Sequence, residues 1–199
     1  MSPLVAAVVL RLVWFDPSGV ARGAEPVARA EATALLARMG ANVDWRRTTS
    51  PEDIQSDEVW VTLVGEGPQS ASSPLVLGAT STSHGVASVV WVRVPNVQAA
   101  LGIPTTRSFL ALTLIERRML AIAVGRVIAH EVVHARVPSI RHSSGLMSRR
   151  LNRSQLTAGS IPFEPEVAFA LQAALRGEPV FAPPGAGPQI ADAQGQVVY

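Results

Sequence analysis

The sequence predicts an α+β fold in which a small twisted mixed sheet packs on a buried helix, with further helices near the C-terminus. Two observations lead to this expectation. In the first half of the chain, short segments rich in Val, Leu and Trp alternate with turn residues, which is typical of strands. In the second half, residues 108–137 form a long apolar stretch with helical spacing, which is typical of a buried helix.

The N-terminal part of the chain predicts two strands around a helix. Residues 5–15 are rich in Val, Leu and aromatic side chains, which favours a buried strand. Residues 25–39 are rich in alanine and predict a helix, with Pro26 in its first turn and Gly40 just past its end. The side chains expected to face the sheet are those of Val27, Leu35, Leu36 and Met39. Residues 41–46 predict the second strand.

The other strands are expected before residue 95. Residues 59–64 predict a third strand, and residues 85–94 predict a strong strand of apolar residues. Between them, residues 75–79 predict a short edge strand and residues 80–84 a polar turn that ends in His84. His84 is expected either on a surface loop or on the rim of a cleft.

Helices are expected to form the rest of the domain. Residues 95–106 predict a connection that can include one helical turn, and the helix over 108–137 is expected to be mostly buried. Its face of residues spaced three or four apart comprises Leu112, Ile115, Met119, Ile122, Arg126, Ala129 and Val133. A charge on such a face predicts an ion pair for Arg126, with exposure to a cleft as the alternative. Residues 148–156 and 164–176 predict two C-terminal helices, and Phe169 is among the side chains of the second that can pack against the helix over 108–137.

Length and composition limit the class of protein. The 199 residues suit a single domain, expected over 1–177, with a flexible Pro- and Gly-rich tail over 178–199. The net charge of +2, without a basic stripe between aromatics, argues against nucleic-acid binding. The absence of cysteine excludes disulfides and thiolate ligands, and it leaves the compartment open.

No segment predicts a membrane span, because no apolar run reaches the required length. Residues 4–10 are apolar and allow two interpretations, a first core strand or the vestige of a signal segment. The interruption by Arg11 and the turn at Asp16-Pro17 favour the strand.

The residues that carry chemistry are concentrated between 129 and 147. His130 and His134 are four residues apart on the predicted helix, so both imidazoles lie on one face and can share a metal ion at about 2.0–2.1 Å. Glu131 is rotated by about 100° from His130. It therefore flanks the metal position without ligating it, which is the place for a general base.

A third ligand is expected from the segment that follows the helix. Pro138 disfavours helix at the preceding residue, so the helix should end near Val137 and the chain should return with His142. Three neutral histidines leave the fourth position of a zinc ion open, which is typical of catalytic sites. Gly145 permits a tight turn, after which Met147 can form a soft apolar floor beneath the ligands.

This segment resembles the metzincin clan of zinc metallopeptidases, and it is most similar to small bacterial metzincin-like proteins with an AHE-x-x-H, proline, H-x-x-x-G-[LI]-M pattern. The resemblance implies a zinc ion held by His130, His134 and His142, with Glu131 as the base and Met147 in a supporting turn. It also implies a sheet with the active-site helix beneath it and a cleft between them.

The chain departs from the clan's pattern in three places. Val137 stands where the usual pattern has glycine, and the gap from His134 to His142 is two residues longer. No tyrosine follows the methionine turn, since Tyr199 is the only tyrosine of the chain. Arg141 and His84 are weak candidates for a second group that stabilises an oxyanion.

Two functions follow as expectations. The first is a zinc-dependent peptidase that hydrolyses peptide bonds, with a peptide or protein substrate extended along residues 75–84 by strand addition. The alternative is a non-catalytic zinc-binding protein in which the histidine site is structural. The sequence leaves the substrate, the cleavage specificity and the oligomeric state open.

Overall fold

The computed structural model describes residues 9–65, 76–81 and 88–179 of the chain. These residues form a mixed α+β fold built on one five-stranded sheet, as the sequence predicts. In chain order, the strands and helices are β1 (Val9–Phe15), α1 (Glu25–Arg38), β2 (Asn42–Arg47), β3 (Val59–Val64), β4 (Gly78–Ser81), β5 (Ser88–Arg93), α2 (Val94–Ala100), α3 (Leu114–Arg136), α4 (Arg153–Thr157) and α5 (Pro165–Leu175).

The sheet is mostly parallel and has the strand order β2-β1-β3-β5-β4. The strands β1, β2, β3 and β5 pair in parallel, whereas β4 pairs antiparallel with β5 and forms an edge. The faces of parallel sheets are normally buried under helices. Here α1 and α3 pack beside each other. The helix α1 contacts β2, and α3 contacts β3, β4 and β5. The sheet therefore presents its edge strand β4 directly to α3.

The hydrophobic core lies between one face of the sheet and these two helices. Leu12 pairs with Val59, and Val61 with Val90, so their side chains share that face and are fully buried. Gly125 allows α3 to approach α1 closely, because a Cβ atom there would lie 2.5 Å from the carbonyl oxygen of Ala28. The close contact fixes the position of α3 on the sheet.

The long helix begins later than its apolar pattern predicts. Phe109–Ala111 form a separate 3-10 turn, and α3 starts after Thr113. The Thr113 hydroxyl accepts a hydrogen bond from the backbone N–H of Glu116, whose carboxylate accepts one from the Thr113 N–H. This capping box satisfies the N–H groups of Thr113 and Glu116 at the start of the helix. The helix ends at Arg136, just before Val137, as Pro138 predicts.

Three residues predicted to pack inside are exposed, which corrects the apolar pattern. The side chain of Ile115 is 73% exposed, that of Val27 39%, and that of Phe169 on α5 70%. Continuous burial of α3 starts only near Leu120. Helical periodicity shows which side of a helix is apolar, but it does not show at which residue that side stops being covered by the rest of the protein.

Two smaller predictions are also corrected. Thr80 and Ser81 belong to β4 and not to a turn, because Thr80 pairs with Val90 of the neighbouring strand. The segment predicted as a connection starts with α2, whose second residue is Pro95, a position that proline favours. His84 and residues 180–199 of the predicted tail lie outside the described residues. No helix in the described ranges has the length and apolar character that crossing a bilayer requires.

Arg126 is buried and forms the ion pair that its place on α3 predicts. Its side chain is 2% exposed, and its Nε donates to Glu31 on α1 at 2.8 Å. Its two terminal nitrogens donate to the carbonyl oxygens of Gln155 at 2.5 Å and Ala158 at 2.7 Å. One guanidinium thus joins α3 to α1 and to α4.

We expect Arg126→Met to lower the free energy of unfolding by about 3 kcal/mol. The substitution conserves apolar length but leaves Glu31 and two carbonyl groups without their donor. The value is at the lower end of the range for a broken buried pair, because Glu31 keeps some contact with solvent. Urea unfolding would measure it, with Arg118→Met as the control, since Arg118 is an exposed arginine of the same helix. Equal effects of the two substitutions would contradict the assignment.

Candidate metal centre

The structure brings the three predicted ligands together. His130 and His134 lie one turn apart on α3, both are buried, and their ring centres are 4.8 Å apart. His142 comes from the segment after α3, and its ring lies 5.4 Å from that of His130 and 4.8 Å from that of His134. One ligand atom from each residue lies within 4.8 Å of the others. The cluster can therefore hold a metal ion.

A tight turn holds the returning segment in place. The backbone N–H of Ser143 donates to the carbonyl of Met147 at 2.9 Å, and Gly145 has a φ of +60°. A Cβ atom at Gly145 would lie 2.1 Å from the carbonyl oxygen of Pro162, so only glycine fits there. The N–H of Leu146 donates to the same Pro162 carbonyl at 2.7 Å. Met147 is fully buried in this turn.

The turn also orients the first ligand. Nδ1 of His130 lies 2.7 Å from the carbonyl oxygen of Leu146, so this nitrogen carries the hydrogen and donates it. Nε2 is then the nitrogen left with a lone pair for a metal. A hydrogen bond of this kind fixes the tautomer and the ring orientation of a ligand. The sequence did not predict this contact, because every residue has a main-chain carbonyl and the residue type therefore carries no information about it.

The surroundings keep all three imidazoles neutral, which is the form that binds metal. Burial lowers the pKa of His134 to about 2, with further repulsion from the other two rings. Burial likewise lowers the pKa of His142 to about 4, and it lowers the pKa of His130 against the effect of the Leu146 carbonyl. Protons therefore compete little with a metal at neutral pH.

Glu131 lies beside the cluster without belonging to it. Its Oε1 is 4.0 Å from Nε2 of His130, and its side chain is buried. Among the described residues no arginine pairs with it, and Arg126 is bound to Glu31 instead. Burial raises the pKa of Glu131 to about 7, an effect that a hydrogen bond from Thr80 opposes.

The edge strand β4 supplies that hydrogen bond. The Thr80 hydroxyl lies 2.8 Å from Oε2 of Glu131 and 3.0 Å from its main-chain carbonyl oxygen. Gly78 makes the approach possible, because a Cβ atom there would lie 2.8 Å from Cγ of Glu131 and 2.9 Å from Cγ1 of Val127. Sequence analysis missed both residues. The only signal was the β-propensity of threonine, in a segment too poor in apolar residues to predict a strand through it.

The side chains present fit a zinc ion by their chemistry. The donor set is three neutral imidazoles with one ring fixed by a main-chain carbonyl, and zinc binds such sets in tetrahedral sites with a fourth position for water. Arg141, a weak candidate for an oxyanion donor, is exposed. The other weak candidate, His84, lies outside the described residues.

Comparisons with protein families, with curated proteins and with solved structures found no match for this chain.

We expect the protein to bind one zinc ion per chain through His130, His134 and His142. Loss of a residue that only hydrogen-bonds to a ligand weakens metal binding by up to about 100-fold. His142→Ala removes a ligand itself, so it should weaken zinc binding by more than that. Elemental analysis and competition with a chelating dye would measure this. His84→Ala, which removes the remaining histidine, serves as the control and should keep the affinity. Full affinity in His142→Ala would contradict the ligand assignment.

The zinc-free protein should lose stability as the pH falls below about 6.5. Burial lowers the pKa of His142 to about 4 and that of His134 to about 2 in the folded protein, both below the ordinary histidine value of about 6.5, so between pH 6.5 and pH 4 the unfolded chain binds more protons at these two residues. Glu131, whose pKa is raised to about 7, offsets one of these two contributions, so the free energy of unfolding should still decrease from pH 6.5 towards pH 4. His142→Gln should flatten this dependence in urea unfolding with chelator present. An identical slope in both proteins would show that His142 does not contribute.

Proposed function

We propose that this protein is a zinc-dependent peptidase of the metzincin kind, with zinc held by His130, His134 and His142 and with Glu131 as the general base. The observation that carries the proposal is the buried carboxyl group of Glu131 beside the three-histidine cluster. It has a hydrogen bond from Thr80 but no arginine partner among the described residues.

Burial of this carboxyl group is costly, which argues for a role in chemistry. An ionised group in an apolar interior needs a compensating charge, or it takes up a proton. A purely structural site needs its ligands and nothing beside them. Perturbed groups of this kind cluster at functional sites. The position next to the ligands is where a base must lie to act on a water molecule at the cluster.

The chemical roles divide as follows. When bound, zinc supplies Lewis acidity, which lowers the pKa of a coordinated water to about 7 and polarises a peptide carbonyl. Glu131 accepts a proton from the water and donates it to the departing amine. Burial makes this carboxylate a stronger base, and a zinc ion bound by the three histidines would offset part of that effect. The Thr80 hydroxyl orients the carboxylate through its 2.8 Å hydrogen bond.

The edge of the sheet offers a place for an extended peptide. Within the described ranges, β4 is last in the strand order and pairs with β5 alone. An added strand can therefore pair with its outer side. Because Thr80 on β4 contacts Glu131 on α3, a peptide paired with this strand would run close to the proposed base. This position agrees with the expectation for residues 75–84, of which 76–81 are described.

Two features favour the rival function, a structural zinc site. The loop from His134 to His142 is longer than in the metzincin pattern, and the tyrosine that follows the turn in that pattern is absent. Either function requires the same three ligands, so zinc content alone does not separate them. Glu131 does separate them, since only a peptidase requires a base at this position.

We expect Glu131→Gln to lower peptide hydrolysis by about 10²–10⁴-fold. The substitution keeps the size of the side chain and a neutral polar group, so zinc content and melting temperature should change little. Digestion of a broad peptide library by the zinc-loaded protein would provide the substrate for rate measurements. A parent protein that binds zinc and cleaves no peptide would support the structural role. Loss of zinc in the variant would mean that Glu131 is a ligand.

We expect Thr80→Val to lower kcat by about fivefold with little change in KM, because one hydrogen bond contributes about 1 kcal/mol. Valine has nearly the shape of threonine but cannot donate. Thr80→Ser keeps the hydroxyl and should retain most of the activity. Equal losses in the two variants would mean that Thr80 acts through packing alone.

A further inference from the structure

Most of the large exposed apolar side chains in the described residues lie at one end of α3. Of the six large hydrophobic side chains that are exposed in the described residues, four lie here. They are Val27 at 39%, Leu110 at 59%, Leu114 at 83% and Ile115 at 73%. Val27, Leu110 and Leu114 line a groove of about 740 Å³ between α1 and α3, and Ile115 follows Leu114. We call these four residues the α1/α3 patch.

The charged groups around the α1/α3 patch are mainly basic. Arg117 and Arg118 line the same groove, and Arg118 is exposed. The nearby carboxylates are already bound, Glu31 by Arg126 at 2.8 Å and Glu116 by Arg107 at 2.9 Å. The surface thus combines apolar side chains with arginines whose charge the neighbouring carboxylates do not cancel.

The turn that carries Leu110 has unusually complete hydrogen bonding for an exposed segment. Every carbonyl oxygen from residue 108 to residue 113 accepts a hydrogen bond from within the protein. Arg117 donates to the carbonyls of Leu110 and Leu112, and Arg107 donates to that of Ala111 at 2.6 Å. Water would satisfy these groups on an ordinary surface loop. Internal partners are required only where water is excluded.

We propose that the α1/α3 patch docks on the surface of a bilayer that contains anionic phospholipid. Leu110, Leu114 and Ile115 enter the boundary between headgroups and acyl chains, and Arg118 binds lipid phosphate. The internally bonded carbonyls let the turn leave water without orphaned hydrogen-bond acceptors. A peptide partner needs no such satisfaction, because it can supply hydrogen bonds of its own.

The α1/α3 patch is rigidly connected to the core and distant from the histidines. Phe109 and Leu112 on either side of Leu110 are buried, so the protruding side chain is held by its neighbours. Leu114 and His130 are sixteen residues apart on one helix, which places them about 24 Å apart. Docking by this end therefore leaves the metal centre away from the lipid.

The proposal is tested by flotation of the full chain with vesicles. Vesicles of phosphatidylcholine mixed with phosphatidylglycerol should carry the protein, and vesicles of phosphatidylcholine alone should carry much less. Leu114→Glu should lower the partition coefficient at least about tenfold, since an apolar side chain no longer transfers. Arg118→Ser should lower it about fivefold at low salt. Leu114 is largely exposed, so melting temperature should confirm that the variant folds.

Phe169→Glu is the matched control, because Phe169 is 70% exposed on α5 and lies outside the α1/α3 patch. It should leave the partition unchanged. Failure of the parent protein to float with anionic vesicles would overturn the proposal, as would an equal loss in Phe169→Glu. Light scattering on the same samples tests the rival occupant, a second copy of the chain. A dimer that Leu114→Glu dissociates, without vesicle binding by the parent, would assign the α1/α3 patch to self-association.

Discussion

The fold depends on supplying interaction partners for four polar side chains of α3 that are buried in the core. Arg126, His130, Glu131 and His134 are each at most 6% exposed. Buried polar groups require partners, and on a single helix those partners must come from other elements. Arg126, His130 and Glu131 are bonded to other parts of the chain, and the ring of His134 contacts that of His142. The metal centre is formed by these contacts.

The partners of these side chains define the tertiary structure around α3. Arg126 binds α1 and α4, and His130 binds the main chain of the turn at Leu146. Glu131 binds the edge strand through Thr80. These contacts differ in chemistry, but each one pairs a helix side chain with a group that is distant along the chain. The site is consequently no more flexible than the packing of the domain.

Sequence reasoning predicted what depends on local spacing. The four-residue interval of His130 and His134, the helix end at Pro138 and the return of His142 follow from helix geometry and proline sterics, and the structure brings these residues together. Thr80 could not be predicted, because its role comes from strand pairing between distant segments. The exposure of Ile115 also escaped, since periodicity describes a helix face without the boundary of the core.

The turn at Gly145 has a consequence for how the protein is made. The Leu146 carbonyl that orients His130 belongs to a turn held by a hydrogen bond to the carbonyl of Pro162. Arg126 likewise donates to the carbonyls of Gln155 and Ala158, which follow it in the chain. During synthesis, the histidines leave the ribosome before these acceptors do. Contacts of such long sequence separation form late in folding. The nascent chain therefore acquires an ordered centre only after nearly the whole domain has been translated, which couples maturation of the site to completion of the fold.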